Sequence, residues 1–232
     1  DGTGGYEGGE MAARAVVSEV LQRFRDAPKQ RCADPDWTIQ VARDALSRAR
    51  ASHPDCPEMN TTLATLLVDA EAARATWCQL GDSRIYLFRK GRARVLTHDH
   101  SVLQAMIDAG FVQPGRHSAR DRNTLYAAVG SEDTPPTALC EAPLALQPGD
   151  VFLLCSDGFW ELLDAAAMEE ALSAAHMPEE WISGMLACIR QPVAHEMDNL
   201  SALAVWVGER IEVTRLLPGY DSDIGRVAWR RE

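Results

Sequence analysis

Apolar residues first recur along this chain with helical spacing. Ala12, Val16, Val17, Val20, Leu21 and Phe24 mark one face of a helix that follows a glycine-rich opening. Ile39, Ala42, Leu46 and Ala49 mark a second between Trp37 and about Arg50. The intervening DAPKQRCADPD reads as a loop, so the two amphipathic helices are expected as an antiparallel pair covering one side of a sheet. The pattern then shortens. Residues 61–68 and 72–80 are strand-like and joined at Asp69-Ala70-Glu71. Residues 85–88 and 93–96 face each other across Arg89-Lys90-Gly91-Arg92, a charged turn. Connections this short imply antiparallel pairing.

From residue 98 to 148 the periodicity weakens. A short helix over 102–109 leads into GFVQPGRHSARDRN, polar and poorly periodic, before the pattern recovers at 125–129. An irregular insert of this length within a compact domain is a candidate functional flap. Pro148-Gly149-Asp150 then launches Val151–Cys155, a continuous apolar run expected of a strand buried on both faces. Asp164 reads as the N-cap of a helix through Leu172. Pro178 sits in the first turn of another that ends near Ile189. Residues 200–207 read as a final buried strand. Helices, then strands, then helices and a strand, with hairpin-length links, indicate an α+β fold of antiparallel sheets covered by helices.

Composition narrows the function classes. The 232 residues can bury a sizeable core, and 46% are hydrophobic and 25% charged, as in ordinary globular domains. A net charge of -11 argues against nucleic acid as a general partner, yet leaves room for a phosphorylated substrate, because bound divalent cations reverse the local field. No apolar run reaches the length of a membrane span, and no basic-then-apolar leader is visible. The six cysteines show neither CxxC pairs nor zinc-like spacing, and reduced thiols in a cytoplasmic protein are expected. Asp1 in place of an initiator Met is expected of a fragment, a processed product or an edited form.

Four aspartates, far apart in sequence, stand at the edges of apolar runs: Asp1 in DGTGGYEGGE, Asp82 in GDSRIYLF, Asp157 in LLCSDGFWE and Asp198 in MDNLSALAVWV. Carboxylates are hard oxygen ligands suited to Mg²⁺ or Mn²⁺. Each alone is equally a turn or cap residue. Asp157 ends the buried run Val151–Cys155, and Asp198 precedes the other apolar run. If those strands are neighbours, the two carboxylates emerge at one sheet edge, where Asp82 can join them. Such crowding raises carboxyl pKa values unless cations neutralise it. Gly2 offers an accessible backbone carbonyl beside Asp1.

Taken in order, these segments resemble the metal-dependent serine/threonine phosphatases of the protein phosphatase 2C (PPM) family. DGTGGYEGGEMA is similar to its Asp-Gly-x-Gly-Gly signature followed by Gly-Glu. LGDSRIYLFRKGRARVLTHDHS is similar to its Gly-Asp-Ser-Arg segment with a downstream Asp-His. LLCSDGFWELL and EMDNLSALAV are similar to its Ser-Asp-Gly and Asp-Asn motifs. The likeness spans roughly residues 1–207, and the shorter bacterial form is the nearest. It implies a four-layer α/β/β/α sandwich of two antiparallel sheets flanked by helix pairs, occupying residues 1–210, with 211–232 as a tail. It implies two Mn²⁺ or Mg²⁺ ions bridged by Asp1 and a hydroxide, with the Gly2 carbonyl on one ion. Asp157 and Asp198 would be ligands of the other, and Asp82 with Asp157 would hold a weaker third ion. The hydroxide would attack phosphoserine or phosphothreonine of a protein substrate in line, without a phospho-enzyme. Residues 108–123 match the flap that influences substrate choice. In this reading Asn199 orients its neighbours, Ser83 and Arg84 support the Asp82 turn, His98 and His100 are hydrogen-bonded at the flap root, and Phe159 and Trp160 are core.

The chain also departs from the family pattern. The Arg-x-x-Asn-Glu-Asp strand expected before Asp-Gly, whose arginine grips the phosphate, has no counterpart upstream of Asp1. Ser222–Val227 in the tail resembles the residues that open that strand, but Ala228 stands where the arginine is expected. Coincidence, the start of a second copy, or a permuted chain in which Arg226 or Arg230 contacts phosphate and Glu232 approaches the ions all remain open. Thr3 occupies the place where some animal members carry a histidine proposed as the general acid. A catalytically weak phosphatase-like module that binds phosphoproteins is therefore the alternative to an active enzyme. A nucleotide-binding enzyme fits poorly, because DGTGGYEGG lacks the lysine of a P-loop.

Overall fold

The computed structural model describes residues 1–3, 8–27, 34–113, 124–189 and 199–208. In chain order the elements are α1 (Gly9–Asp26), α2 (Asp36–Ser52), β1 (Leu63–Asp69), β2 (Arg74–Leu80), β3 (Arg84–Arg89), β4 (Arg92–Val95) and α3 (Val102–Asp108). After a 3₁₀ turn (Pro136–Ala138) come β5 (Leu144–Ala145), β6 (Val151–Cys155), α4 (Asp157–Trp160), α5 (Ala165–Ala174), α6 (Pro178–Ile189) and β7 (Ala202–Trp206). Both sheets are antiparallel throughout, ordered β1-β2-β5 and β4-β3-β6-β7.

Strand parity explains the layering. Leu63 and Leu67 of β1 and Cys78 and Leu80 of β2 pack under α1 and α2 with Val16, Ile39 and Leu46. The alternate residues, Ala75 and Trp77 among them, meet Ile85, Leu87 and Phe152 of the second sheet. Tyr86, Phe88, Val151 and Leu153 point the other way, into α5 and α6 around Trp181, Met168 and Met185. Period-two side chains on strands sandwiched between two layers must be apolar on both faces, which gives β3 and β6 their continuous hydrophobic runs. The result is the expected four-layer sandwich.

Most predicted elements are present with shifts of a residue or two at their ends. Asp164 caps α5, its carboxylate accepting from the Ala167 N–H at 2.8 Å. Arg89 grips the buried Asp150 through two hydrogen bonds of 2.8 and 2.7 Å, tying β3 to the turn that launches β6. One expectation needs correction, and two local features went unforeseen. Residues 200–207 are not a buried strand: β7 is shorter, pairs only with β6 among the described residues, and leaves Leu203 59% exposed. Where the pattern recovers at 125–129, Leu125 makes an isolated bridge to Ser101. Asp157 opens a four-residue helix that the sequence pattern did not reveal. The tail from 209 onward, and with it Arg226, Arg230 and Glu232, lies outside the described residues.

Free thiols are found at Cys56, Cys78, Cys140, Cys155 and Cys188. Burial pushes the Cys78 and Cys155 thiols up to about 12, so both stay protonated and behave as small apolar groups.

Candidate metal centre

The site forms where three chain segments meet at one end of the sandwich. The first is Asp1-Gly2-Thr3, which lies antiparallel to the residues leading into β1 through a Gly2–Thr61 bridge. The Asp1 carbonyl accepts from the Thr62 N–H at 2.8 Å and from Thr61 Oγ1 at 2.5 Å, and the Thr3 N–H donates to the Asn60 carbonyl at 3.2 Å. Gly2 packs backbone to backbone on the start of α1: a Cβ there would lie 2.4 Å from the carbonyl carbon of Gly9. Gly2→Ala is therefore expected to displace α1 or the Asp1 segment, costing about 1–3 kcal/mol as overpacking does. Thermal melting and Mn²⁺ titration of the variant would register it as a lowered Tm together with weaker binding.

The second segment is the link between β2 and β3. Gly81 takes φ +100, and a Cβ on it would meet Thr62 Cγ2 at 2.6 Å, so the turn both needs a left-handed residue and runs against Thr62. Asp82 follows, only 6% exposed. Ser83 Oγ shares a 2.8 Å hydrogen bond with Thr62 Oγ1, joining the second segment to the first. His100 holds the turn from outside: its N–H donates to the Gly81 carbonyl at 2.8 Å and its Nδ1 accepts from the Gly81 N–H at 3.2 Å. Burial pushes the His100 imidazole down to about 4, so the ring is neutral near pH 7. With Nδ1 accepting, Nε2 carries the proton and donates to Thr137 Oγ1 at 3.0 Å. His100 is thus a structural strut, whereas residues 114–123 of the expected flap lie outside the described residues. His98 pairs instead with Asp108 at 2.7 Å on the surface.

The third segment is the end of β6. Asp157 is half-buried and opens α4, its Oδ1 accepting from the Gly158 N–H at 2.8 Å. Ser156 beside it binds the start of β7: its N–H donates to the Ser201 carbonyl at 3.0 Å, its Oγ donates to the Asn199 carbonyl at 3.3 Å, and the Ser201 N–H returns to Oγ at 3.1 Å. The strands carrying the third and fourth sequence motifs are therefore neighbours, with Cys155 opposite Ala202. Asp198 itself lies outside the described residues.

Asp82 and Asp157 act on one another. Burial first, then the charges of Asp157 and Asp99, push the Asp82 carboxyl up to about 7. Thr62 links the Asp1 backbone to the Asp82 turn, its N–H donating to the Asp1 carbonyl and its Oγ1 meeting Ser83 Oγ. Hence the structure brings the backbone of Asp1, Asp82 and Asp157 into one electrostatic neighbourhood. Among the described residues no three His, Cys, Asp or Glu side chains are close enough to hold an ion by themselves. The donors present nonetheless suit a hard divalent cation: they are oxygens, one is the Asp82 carboxylate, destabilised by burial and by the charge of Asp157, and the neighbouring Thr3 Oγ1 is buried with no partner among the described residues.

Several contributors carried little sequence signal. Arg84 is clamped on Asp99 by contacts of 2.9, 3.2 and 2.6 Å and lies 3.4 Å over the Trp160 ring. That pairing raises the Arg84 pKa above its ordinary value and fully engages the guanidinium, consistent with support of the Asp82 turn. Phe159 is core, but Trp160 is not merely so: its Nε1–H donates to the Asp82 carbonyl at 2.9 Å. Asn60, Thr61 and Thr62, which fasten the Asp1 segment, carried no such signal in the sequence.

The structure thus joins a two-sheet sandwich to a group of oxygen donors at one end of its strands. A family model described as protein phosphatase 2C matches residues 1–197. The serine/threonine protein phosphatase PstP of Mycobacterium tuberculosis is 32% identical over 181 residues, which are 77% of this chain and 34% of that protein. A crystal structure of the M. tuberculosis phosphatase PstP/Ppp superposes with a TM-score of 0.71 at 27% identity, covering 89% of this chain and 86% of that one. A structure of the PstP catalytic domain in complex with two manganese ions gives 0.67 at 26% identity, covering 88% and 84%. The chain belongs to the protein phosphatase 2C family, a family of serine/threonine protein phosphatases. It spans about a third of the length of the PstP proteins it matches.

Proposed function

We propose that this chain hydrolyses phosphoserine and phosphothreonine in proteins, with Mn²⁺ or Mg²⁺ held between the Asp1 segment, the Asp82 turn and the end of β6. The observation that carries the proposal is the Asp82 carboxyl, buried and pushed up to about 7 beside Asp157. A site that stores like-charge repulsion in this way is arranged for a cation. Asp1, the Gly2 carbonyl, Asp157 and Asp198 are assigned to two ions, and Asp82 with Asp157 to a third. When bound, such ions supply Lewis acidity, lowering the pKa of water and neutralising phosphoryl charge.

The chain's own residues do the positioning. Asp157 is fixed just beyond the end of a central strand, Gly2 packs its backbone against the start of α1, and Ser156 ties Asn199 to the end of β6. The proposed substrates are phosphoproteins made by a serine/threonine kinase. The net charge of -11 disfavours nucleic acid, and no helix among the described residues is long and apolar enough to cross a membrane. A cytoplasmic setting is part of the same proposal, in keeping with the free thiols. Mn²⁺-dependent release of phosphate from a phosphothreonine peptide, abolished by chelation, is the expected result. Metal-loaded protein that binds the peptide without turnover would identify the regulatory module instead.

Protons and metal compete for Asp82. Mn²⁺ affinity measured by calorimetry is expected to rise from about pH 5 to about pH 7 and then level off, as the carboxyl gives up its proton. The sign reverses for the metal-free protein. Folded Asp82 binds its proton more tightly than the unfolded chain does, so this group's contribution to stability is greatest at low pH and declines as pH rises towards about 7. Melting curves with and without Mn²⁺ should show the two opposite trends, and Asp82→Asn should flatten both.

A further inference from the structure

The indole of Trp160 joins the two carboxylate-bearing segments. Trp160 lies three residues after Asp157 on α4, so it projects from the same short helix that Asp157 opens. Its Nε1–H reaches across to the Asp82 main-chain carbonyl at 2.9 Å. Its ring is covered by the Arg84 guanidinium at 3.4 Å, and Arg84 in turn is held by a two-pronged contact to Asp99 and a 3.3 Å contact to the Tyr86 hydroxyl. Asp99 is 8% exposed and is bracketed in sequence by His98 and His100, the latter bonded to both polar groups of Gly81. The Gly81–Asp82 turn is thus held at Gly81 by His100 and at the Asp82 carbonyl by the indole. An aromatic ring pinned under a planar cation loses little further entropy on donating one hydrogen bond, which makes it an effective spacer.

We infer that Trp160 is a positioning residue that sets the separation of Asp82 from Asp157 and thereby the affinity of the site for its divalent ion, with Arg84 and Asp99 fixing the indole. This rests on the metal assignment proposed above. Its assigned role runs through the Asp82 carbonyl and requires no contact with substrate or ion. The chemistry predicts a separation of effects that a packing role would not produce. Losing the N–H while keeping an aromatic ring beneath Arg84 should loosen Asp82 and spare the fold.

The test is Trp160→Phe in the whole chain, with Mn²⁺ binding read by calorimetry and stability by thermal melting. Loss of one hydrogen bond of this kind is expected to weaken Mn²⁺ binding about five- to tenfold while shifting Tm by only a few degrees. Turnover at saturating Mn²⁺ should return to within about twofold of the wild type, because the defect lies in affinity. In an Asp82→Asn background the Trp160→Phe change should add no further loss, which a purely structural contribution would not obey. Binding by Trp160→Phe equal to wild type, or an equal loss in the Asp82→Asn background, overturns the inference. Should Trp160→Phe fail to fold, Arg84→Lys releases the indole from its other face and is expected to weaken Mn²⁺ similarly; unchanged binding would overturn the inference as well. Wild-type protein that binds no Mn²⁺ would fail the metal assignment itself, a result distinct from either.

Discussion

Asp157→Asn is expected to abolish Mn²⁺-dependent phosphothreonine hydrolysis, lowering turnover by about three powers of ten, the scale of several kcal/mol of metal-derived stabilisation. The substitution is nearly isosteric, and an amide oxygen can still accept from the Gly158 N–H that now donates to Asp157 Oδ1. What disappears is one negative charge and one hard ligand. Asp157 is also the leading charge that raises Asp82, so its removal relieves repulsion in the metal-free protein. The variant should therefore melt at or above the wild-type temperature without metal and gain less from added Mn²⁺. Peptide turnover and melting measured on the same preparation check both halves. Full turnover by Asp157→Asn would remove the catalytic assignment.

The largest effect on stability is expected at Trp181. Its side chain is fully buried, meets Phe88 edge to face with ring centroids 4.9 Å apart, and donates from Nε1 to the Met168 carbonyl at 3.0 Å. It therefore links α6, α5 and β3 at one point. Trp181→Ala opens a large cavity and removes the hydrogen bond to Met168, for about 3–5 kcal/mol. Domains of this kind are stable by only about 5–15 kcal/mol in all. A fall in Tm on the order of 10 °C follows for a chain of this size, detectable by calorimetry or as loss of soluble protein. Melting within about 2 °C of wild type would contradict the packing described for this layer.

The sequence foretold the helix pairs because amphipathic spacing survives whatever the helices pack on, as at α1 and α2. It foretold β6 because Val151–Cys155 is apolar without a break. It could not assign faces within β3, where Ile85 and Leu87 serve one contact and Tyr86 and Phe88 another, all four being equally hydrophobic. β5 escaped notice because two residues carry no period; Leu144 and Ala145 become a strand only by pairing with Ala75 and Arg74. β7 was misjudged because apolar content was taken for burial, whereas its surroundings are decided by what lies alongside. In the site, Asp82 and Asp157 were legible as strand-end carboxylates, a position that local pattern does reveal. The parts contributed by Trp160 and by the Asn60-Thr61-Thr62 run were not, since hydrogen bonds between segments 78 and 60 residues apart leave no local trace.

Both sheets are sandwiched over most of their area, and this has a consequence for diversification. Strands with no wet face offer almost no tolerant positions, so new substrate preferences have to be written into connections and termini. A mutant library confined to β3 and β6 should yield chiefly misfolded clones. One of equal size confined to the exposed positions of residues 102–113 and 131–147 should keep most clones foldable.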